Sequence, residues 1–226
     1  MALGVHLKRN GNWSDEVEGN GVTVWLQKQL KPLEKNLEKV PPEAFAWLSL
    51  GLSLVAGVLL YFSQAQYWPA LALFAGLVLA LRLMSDSCEE MLTAASAQLN
   101  PPNLLIIRLG YRLADITMLL GFAFWDSLRI HLVLCAIVSM LLVSYVAELG
   151  RALGAKDCGG GLLCKSNRII LLIFFCSMYL FRPNARIADF SVFEVMFALF
   201  IPMASITLLQ RLDAAIRQIY GRKDGE

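Results

Sequence analysis

From Phe45 onward the chain is a succession of long apolar runs separated by short polar stretches. A helix needs roughly 20 predominantly apolar residues to cross the hydrocarbon core of a bilayer. Six runs approach that length, and they predict helices over Phe45–Phe62, Trp68–Met91, Leu104–Phe124, Ile130–Leu149, Ile169–Phe181 and Phe190–Leu209. Tyr61, Tyr67, Trp68, Trp125 and Tyr179 fall near run ends, where amphipathic rings favour the membrane–water boundary. The fifth run is short, and Arg182-Pro183 gives it a sharp stop, because proline supplies no backbone donor to continue a helix. The expected fold is an all-α membrane bundle of six spans, since only helices or closed barrels satisfy every backbone group in lipid.

A different period precedes the bundle. Val22, Leu26, Leu30, Leu33, Leu37 and Val40 recur at spacings of four and three, which places them on one helical face. Lys28, Lys31, Lys35 and Lys39 lie off that face and Trp25 stands near its start. This is the pattern of an amphipathic helix lying in the membrane interface with its lysines toward lipid phosphates. A solvent-exposed helix packed on a partner has the same pattern. Pro32 is expected to kink or split it. The chain thus divides into a flexible polar tail (1–20), an interfacial helix (21–42), a transmembrane domain (43–212) and a polar C-terminal tail (213–226). The tail ahead of the first span is polar and the span begins too deep for a signal peptide, so no cleavable signal is expected.

Composition agrees. Of the 226 residues, 57% are hydrophobic and 17% charged, with a mean hydropathy of +0.57, whereas soluble domains are about half apolar and a quarter charged. A net charge of +2 gives no reason to expect nucleic acid. The distribution of basic residues says more. They gather in the N-terminal segment, in the fourth-to-fifth connection (Arg151, Lys156, Lys165, Arg168) and in the C-terminal tail. The positive-inside rule then puts both termini on the cytoplasmic or matrix side of a bacterial cytoplasmic membrane or an organelle inner membrane. Arg129, Arg182 and Arg186 count against that assignment without reversing it. The five cysteines form no CxxC pair and there are only two histidines, so no zinc site is expected. Cys158 and Cys164 flank a glycine run, where they could pair, though two free thiols are expected.

Charge also lies inside the second and third runs. Arg82, Asp86, Glu89 and Glu90 close the second, and Arg108, Arg112 and Asp115 open the third, each set on about one helical face. Ionisable groups at membrane depth are costly and face a cavity or one another. A polar pocket open to the cytoplasmic side is expected, with Arg108 and Arg112 paired to Glu90 and Asp86. Helix ends that simply reach headgroup water are the plainer alternative.

Several stretches together resemble the CDP-alcohol phosphatidyltransferase family: Leu81–Glu90, Ile107–Gly121, Ser144-Tyr145 followed by Gly154, Asn167-Arg168, and Leu209-Gln210-Arg211. The resemblance covers Leu30 to Arg217 and implies an interfacial basic helix, six spans and a metal site at the facing ends of spans two and three. The family motif reads D-x-x-D-G-x-x-A-R, eight residues, then G-x-x-x-D-x-x-x-D. Its aspartates hold the divalent cations that bind the CDP-lipid pyrophosphate, and the last is also the base toward the acceptor alcohol. With Glu90 as the second aspartate, Ser87 is the first and Arg108 and Arg112 are the third and fourth. With Asp86 instead, the others are Leu83, Leu104 and Arg108. Neither register recovers the glycine or the A-R pair. Arg168 matches an arginine that in the family helps hold an acceptor phosphate; the second basic position falls on Ala147, with Arg151 one turn away as a substitute.

An arginine in a ligand position opposes a divalent ion by roughly 8 kcal/mol at 4 Å and an effective dielectric of 20. No metal is therefore expected. Three functions remain open. One is a catalytically inactive accessory or scaffold subunit that contacts lipids, anionic headgroups included, as a homodimer or within a larger membrane complex. The second is an active transferase that uses CDP-diacylglycerol, with Mg²⁺ or Mn²⁺ on Asp86, Glu89, Glu90 and Asp115. The third is a small transporter-like bundle with a central ion pair.

Overall fold

The computed structural model describes residues 21–30, 32, 40–64, 68–95, 101–155, 160–187 and 189–223. The helices are α1 (Gly21–Leu30), α2 (Pro42–Phe62), α3 (Leu71–Ala95), α4 (Pro101–Ala123), α5 (Ile130–Ala152), α6 (Lys165–Phe181) and α7 (Val192–Lys223). A two-residue antiparallel hairpin, β1 (Arg186–Ile187) and β2 (Phe190–Ser191), links the last two. Four helices are long and apolar enough to cross a membrane: Pro42–Phe62, Leu71–Thr93, Ile130–Ala152 and Val192–Tyr220. Helix α4 has the length but carries Arg108, Arg112 and Asp115, and α6 is 17 residues long with Lys165 and Arg168 in its first turn. The chain is a membrane protein on this evidence of its apolar helices.

Boundaries follow local chemistry. Leu30 ends α1 two residues before Pro32, as the missing proline donor requires. Within α1, Trp25 and Lys28 are exposed while Leu30 is buried, and Leu26 packs on the core. The rest of the expected amphipathic pattern, Leu33 and Leu37 on the apolar face and Lys31, Lys35 and Lys39 off it, lies outside the described residues, as do the tail 1–20, Lys156 and Cys158. Helix α7 begins at Val192 rather than Phe190, because Phe190 and Ser191 pair with Ile187 and Arg186. Ser191 and Glu194 then form a capping box: Ser191 Oγ accepts from the Glu194 amide at 3.3 Å and Glu194 Oε2 accepts from the Ser191 amide at 2.9 Å. Helix α7 continues through 213–223, the segment read from sequence as tail. Helix α5 closes with Gly154 at φ +92°, the amides of Gly154 and Ala155 returning to the carbonyls of Arg151 and Gly150. That 5→2 and 6→1 pair is the Schellman arrangement, and it needs a residue with no Cβ penalty in the left-handed region.

Packed neighbours run α4–α2–α3–α6–α7–α5 and back to α4, so the six long helices close a ring. The tightest seam joins α2 and α4. A Cβ on Gly121 would overlap the Gly57 carbonyl, and one on Gly57 would lie 2.5 Å from the Thr117 carbonyl oxygen. Without water to drive apolar surfaces together, close backbone approach at small residues is how membrane helices gain packing energy. At one end of the ring Phe122, Trp125, Tyr179, Phe193 and Phe197 stack with centroids 4.6–5.5 Å apart. Trp47, Leu54, Phe74, Leu105, Leu134 and Phe174 point outward, the apolar exterior that lipid demands. The other end of the ring holds the charges of α3, α4 and the start of α6.

Candidate functional site: a charge network between α3, α4 and α6

Helix geometry divides the charges of α4 into two adjacent i, i+4 stripes. Tyr111 and Asp115 form one, Arg108 and Arg112 the other. The first stripe turns inward. Arg82, with no exposed surface, reaches from α3 to Asp115 Oδ1 at 2.6 Å, and Arg168 from α6 reaches Asp115 Oδ2 at 2.8 Å. Each oxygen of one buried carboxylate therefore faces its own guanidinium. Arg82 also approaches Asp86 Oδ2 at 3.7 Å and donates to Ser49 Oγ at 3.3 Å. Lys165 Nζ lies 3.2 Å from Asp86 Oδ2, 3.8 Å from Glu90 Oε1, and 3.1 Å from the centroid of the Tyr111 ring. Glu89 accepts from the Tyr111 hydroxyl and, at 2.5 Å, from Thr93.

Local sequence adds to the unusual character of this place. Two cations in the first turn of α6 oppose the helix macrodipole, which favours anions there by about 0.3–1 kcal/mol. The carboxylates of α3 and α4 offset that penalty at Lys165 and Arg168. Their fit is incomplete: Asp86 is almost wholly buried, yet neither of its oxygens accepts a well-directed hydrogen bond from a protein group.

The second stripe turns toward α5, which corrects the pairing expected from sequence. Arg108 and Arg112 do not meet Glu90 and Asp86. Both bind Glu148, at 2.6 and 3.2 Å, and Arg151 joins them at 3.0 Å. Arg112 also donates to Ser144 Oγ at 2.7 Å. The reason is rotational. Because the two stripes are adjacent rather than coincident, the turn that aims Asp115 at α3 and α6 carries Arg108 and Arg112 round to α5. Three guanidiniums share one carboxylate, an excess of two positive charges (3 − 1), and all four side chains are partly exposed. Nearby, Arg211 donates to the carbonyls of Gly160 and Val143 at 2.8 and 3.0 Å.

The six residues expected in one pocket thus occupy two clusters. Asp86, Glu89, Glu90 and Asp115 lie inside with Arg82, Lys165 and Arg168; Arg108 and Arg112 lie outside with Glu148 and Arg151. The two expected phosphate ligands are split as well, since Arg168 belongs to the inner set and Arg151 to the outer. Sequence reasoning missed Glu148, Tyr111 and the inward role of Lys165. Glu148 was recoverable, being the one acidic residue in Ile130–Ala152, and an isolated carboxylate in a span calls for a partner.

No protein-family model matches the sequence, and no curated protein does. Solved structures do match. The bundle is similar to the phosphatidylinositol phosphate synthase of Mycobacterium tuberculosis with CDP-DAG bound, at a TM-score of 0.59 and 17% identity over 86% of this chain and 93% of that one. The same enzyme with manganese and citrate matches at 0.59 and 18% identity, over 85% of this chain and 88% of that one. Its apo form matches at 0.60 and 18%, over 81% and 94%. The chain has the fold of a CDP-alcohol phosphatidyltransferase.

The manganese in one of those structures makes a divalent ion the natural candidate for the inner cluster. The residues present do not fit one. Among the described residues no group of three or more His, Cys, Asp or Glu side chains is placed to hold a metal ion. The acidic donors that exist are already engaged. Asp115 has a guanidinium at each oxygen, and Asp86 has Arg82 and Lys165 within 4 Å. A dication entering there would have to displace Arg82, Lys165 or Arg168 from the carboxylates they contact.

Proposed function

We propose that the protein is a non-catalytic member of this fold, a membrane subunit that holds anionic phosphate groups at its charged end and transfers nothing. The observation that carries this reading is Asp115, whose two oxygens are taken by Arg82 and Arg168 at 2.6 and 2.8 Å. Arg82 donates to one oxygen and Arg168 lies at ion-pair distance from the other, and two fixed cations against one carboxylate leave little net negative charge to attract Mg²⁺ or Mn²⁺ or to draw a proton. The outer trio of Arg108, Arg112 and Arg151 supplies the binding. Its two excess positive charges and planar donor forks suit a lipid phosphate, and they stand at the end of the bundle where headgroups are met.

In this reading all six long helices span the bilayer. Of the two less apolar ones, α6 turns Lys165 and Arg168 and α4 turns Asp115 into the ring, while Arg108 and Arg112 of α4 pair with Glu148 of α5. An even number of spans puts both termini on one side, and the basic residues make it the cytoplasmic or matrix side. Helix α1 rests on that surface. The protein works as a homodimer or within a larger complex.

One observation favours the active alternative. Asp86 keeps both oxygens free of hydrogen bonds although it is buried, and a lone-pair-rich carboxylate is what a metal seeks. The two readings separate in reconstituted nanodiscs. With CDP-diacylglycerol, manganese and a panel of acceptor alcohols, no CMP is expected. Retention on phosphatidylglycerol nanodiscs is expected to exceed that on phosphatidylcholine and to fall when Arg108 and Arg112 become glutamine. CMP release abolished by Asp86→Asn establishes the alternative.

A further inference from the structure

The end of the ring opposite the ion pairs holds Arg129, Arg182 and Arg186, the basic residues that run against the charge asymmetry of the rest. Two of them line a cavity of about 510 Å³ between the α4–α5 turn and the hairpin before α7, well within the roughly 300–1,000 Å³ of small-molecule sites. Its walls are fixed by local structure. Glu194, almost fully buried, accepts from the amides of Ser191 and Arg129 at 2.9 and 3.2 Å. Arg129 lies 3.7 Å from the same carboxylate and stacks 4.7 Å above the Phe190 ring. Tyr179 and Trp125 pack together behind the cavity, with ring centroids 5.5 Å apart. The hairpin places Asp189 at φ +66°, a conformation Asp tolerates better than most residues but which few side chains adopt freely. Backbone held in this way is found where a loop serves a ligand.

Glu194 and Arg129 are thus committed to the walls. The charges left over are Arg186, Asp126 and Asp189, all exposed around the cavity and without an ion pair among the described residues. One cation and two anions select a ligand. A purely anionic molecule would face both aspartates unpaired, and a purely cationic one would leave Arg186 facing its charge. A molecule bearing an ammonium group and a phosphate satisfies all three: the ammonium lies between the aspartates, and the phosphate is bound bidentately by the guanidinium.

We propose that this cavity is a second binding site, one that takes a compound carrying both an ammonium and a phosphate group, the chemistry of ethanolamine phosphate. At a membrane surface that chemistry has two sources, the headgroup of phosphatidylethanolamine and the free amino-alcohol phosphate. The test uses the full chain in nanodiscs. Soluble phosphoethanolamine is titrated against protein in phosphatidylglycerol nanodiscs by ligand-detected NMR. Native mass spectrometry separately counts phosphatidylethanolamine and phosphatidylglycerol retained from mixed nanodiscs. Saturable binding of the soluble compound points to the free source, and selective retention of the ethanolamine lipid points to the headgroup. In either arm Asp126→Asn with Asp189→Asn, and separately Arg186→Gln, weakens binding by about tenfold or more, the loss of one charge-assisted contact. No saturable binding of the soluble compound together with equal retention of both lipids, or indifference to the three rim substitutions, overturns the proposal. Since all three rim residues are exposed, these variants leave the core intact.

Discussion

The inner and outer charge clusters of this protein sit a turn apart on α4, yet they obey different physics. Inside, Arg82 has no exposed surface and Asp115 is almost as buried, so each charge needs its partner. Outside, Arg108, Arg112 and Arg151 crowd one glutamate with about a third of each arginine in solvent. Burial makes a charge structural, because removing its partner strands it in a medium that cannot solvate it. Exposure leaves a charge available, because water screens what the protein does not pair. The contrast shows that one end of the bundle carries arginine and lysine in two different settings, one buried and paired, the other partly exposed. In the inner cluster they are paired with carboxylates; in the outer cluster three guanidiniums share one.

The sharpest way to break this comparison is Asp115→Ala. It strands Arg82 and Arg168 together, and we expect a loss of about 3–5 kcal/mol, read as a fall in the thermal unfolding midpoint in nanodiscs. A loss below about 1 kcal/mol would mean that water or lipid phosphate already solvates the inner site. Next comes the helix seam that brings the inner charges together. Gly121→Ala forces a Cβ into the Gly57 carbonyl, and overpacking of this kind costs about 1–3 kcal/mol, checked by the same unfolding assay. The smallest expected effect belongs to the outer cluster. Arg108→Gln with Arg112→Gln changes stability by less than about 1 kcal/mol, as partly exposed pairs do, while reducing retention on phosphatidylglycerol nanodiscs. A double-mutant cycle sharpens the contrast, with a coupling of about 2–3 kcal/mol expected between Arg82 and Asp115 and under about 1 kcal/mol between Arg108 and Glu148.

How legible this was in the sequence depends on the physics concerned. The long helices were readable because lipid imposes a coarse rule, apolar on most outward positions, and runs such as Ile130–Leu149 carry no acidic or basic side chain besides His131 until Glu148. Ends were less readable where local chemistry competes with hydropathy: Trp68 and Phe190 look like the first residues of spans, but one begins a turn and the other pairs in a hairpin. The presence of a charge site was also readable, since Arg82, Asp86 and Asp115 stand out at membrane depth. Its wiring was not. Arg108, Arg112 and Asp115 lie within one broad helical face by spacing alone, and only the rotation of α4 in the ring decides that Asp115 turns inward while both arginines turn to α5. Tyr111 and Lys165 were hidden for a simpler reason. A tyrosine in a span and a lysine in a loop each have an ordinary explanation, and their partnership with Glu89 and Asp86 exists only in three dimensions.

The account rests on the inner carboxylates being unavailable to a divalent ion, and manganese binding measures that directly. The wild-type protein in nanodiscs, titrated with Mn²⁺ and followed by electron paramagnetic resonance of the free ion, is expected to bind no stoichiometric metal. Stoichiometric binding that is lost in Asp86→Asn or Asp115→Asn would contradict it, and would make the arginines at this site partners of a metal-bound phosphate rather than its replacement.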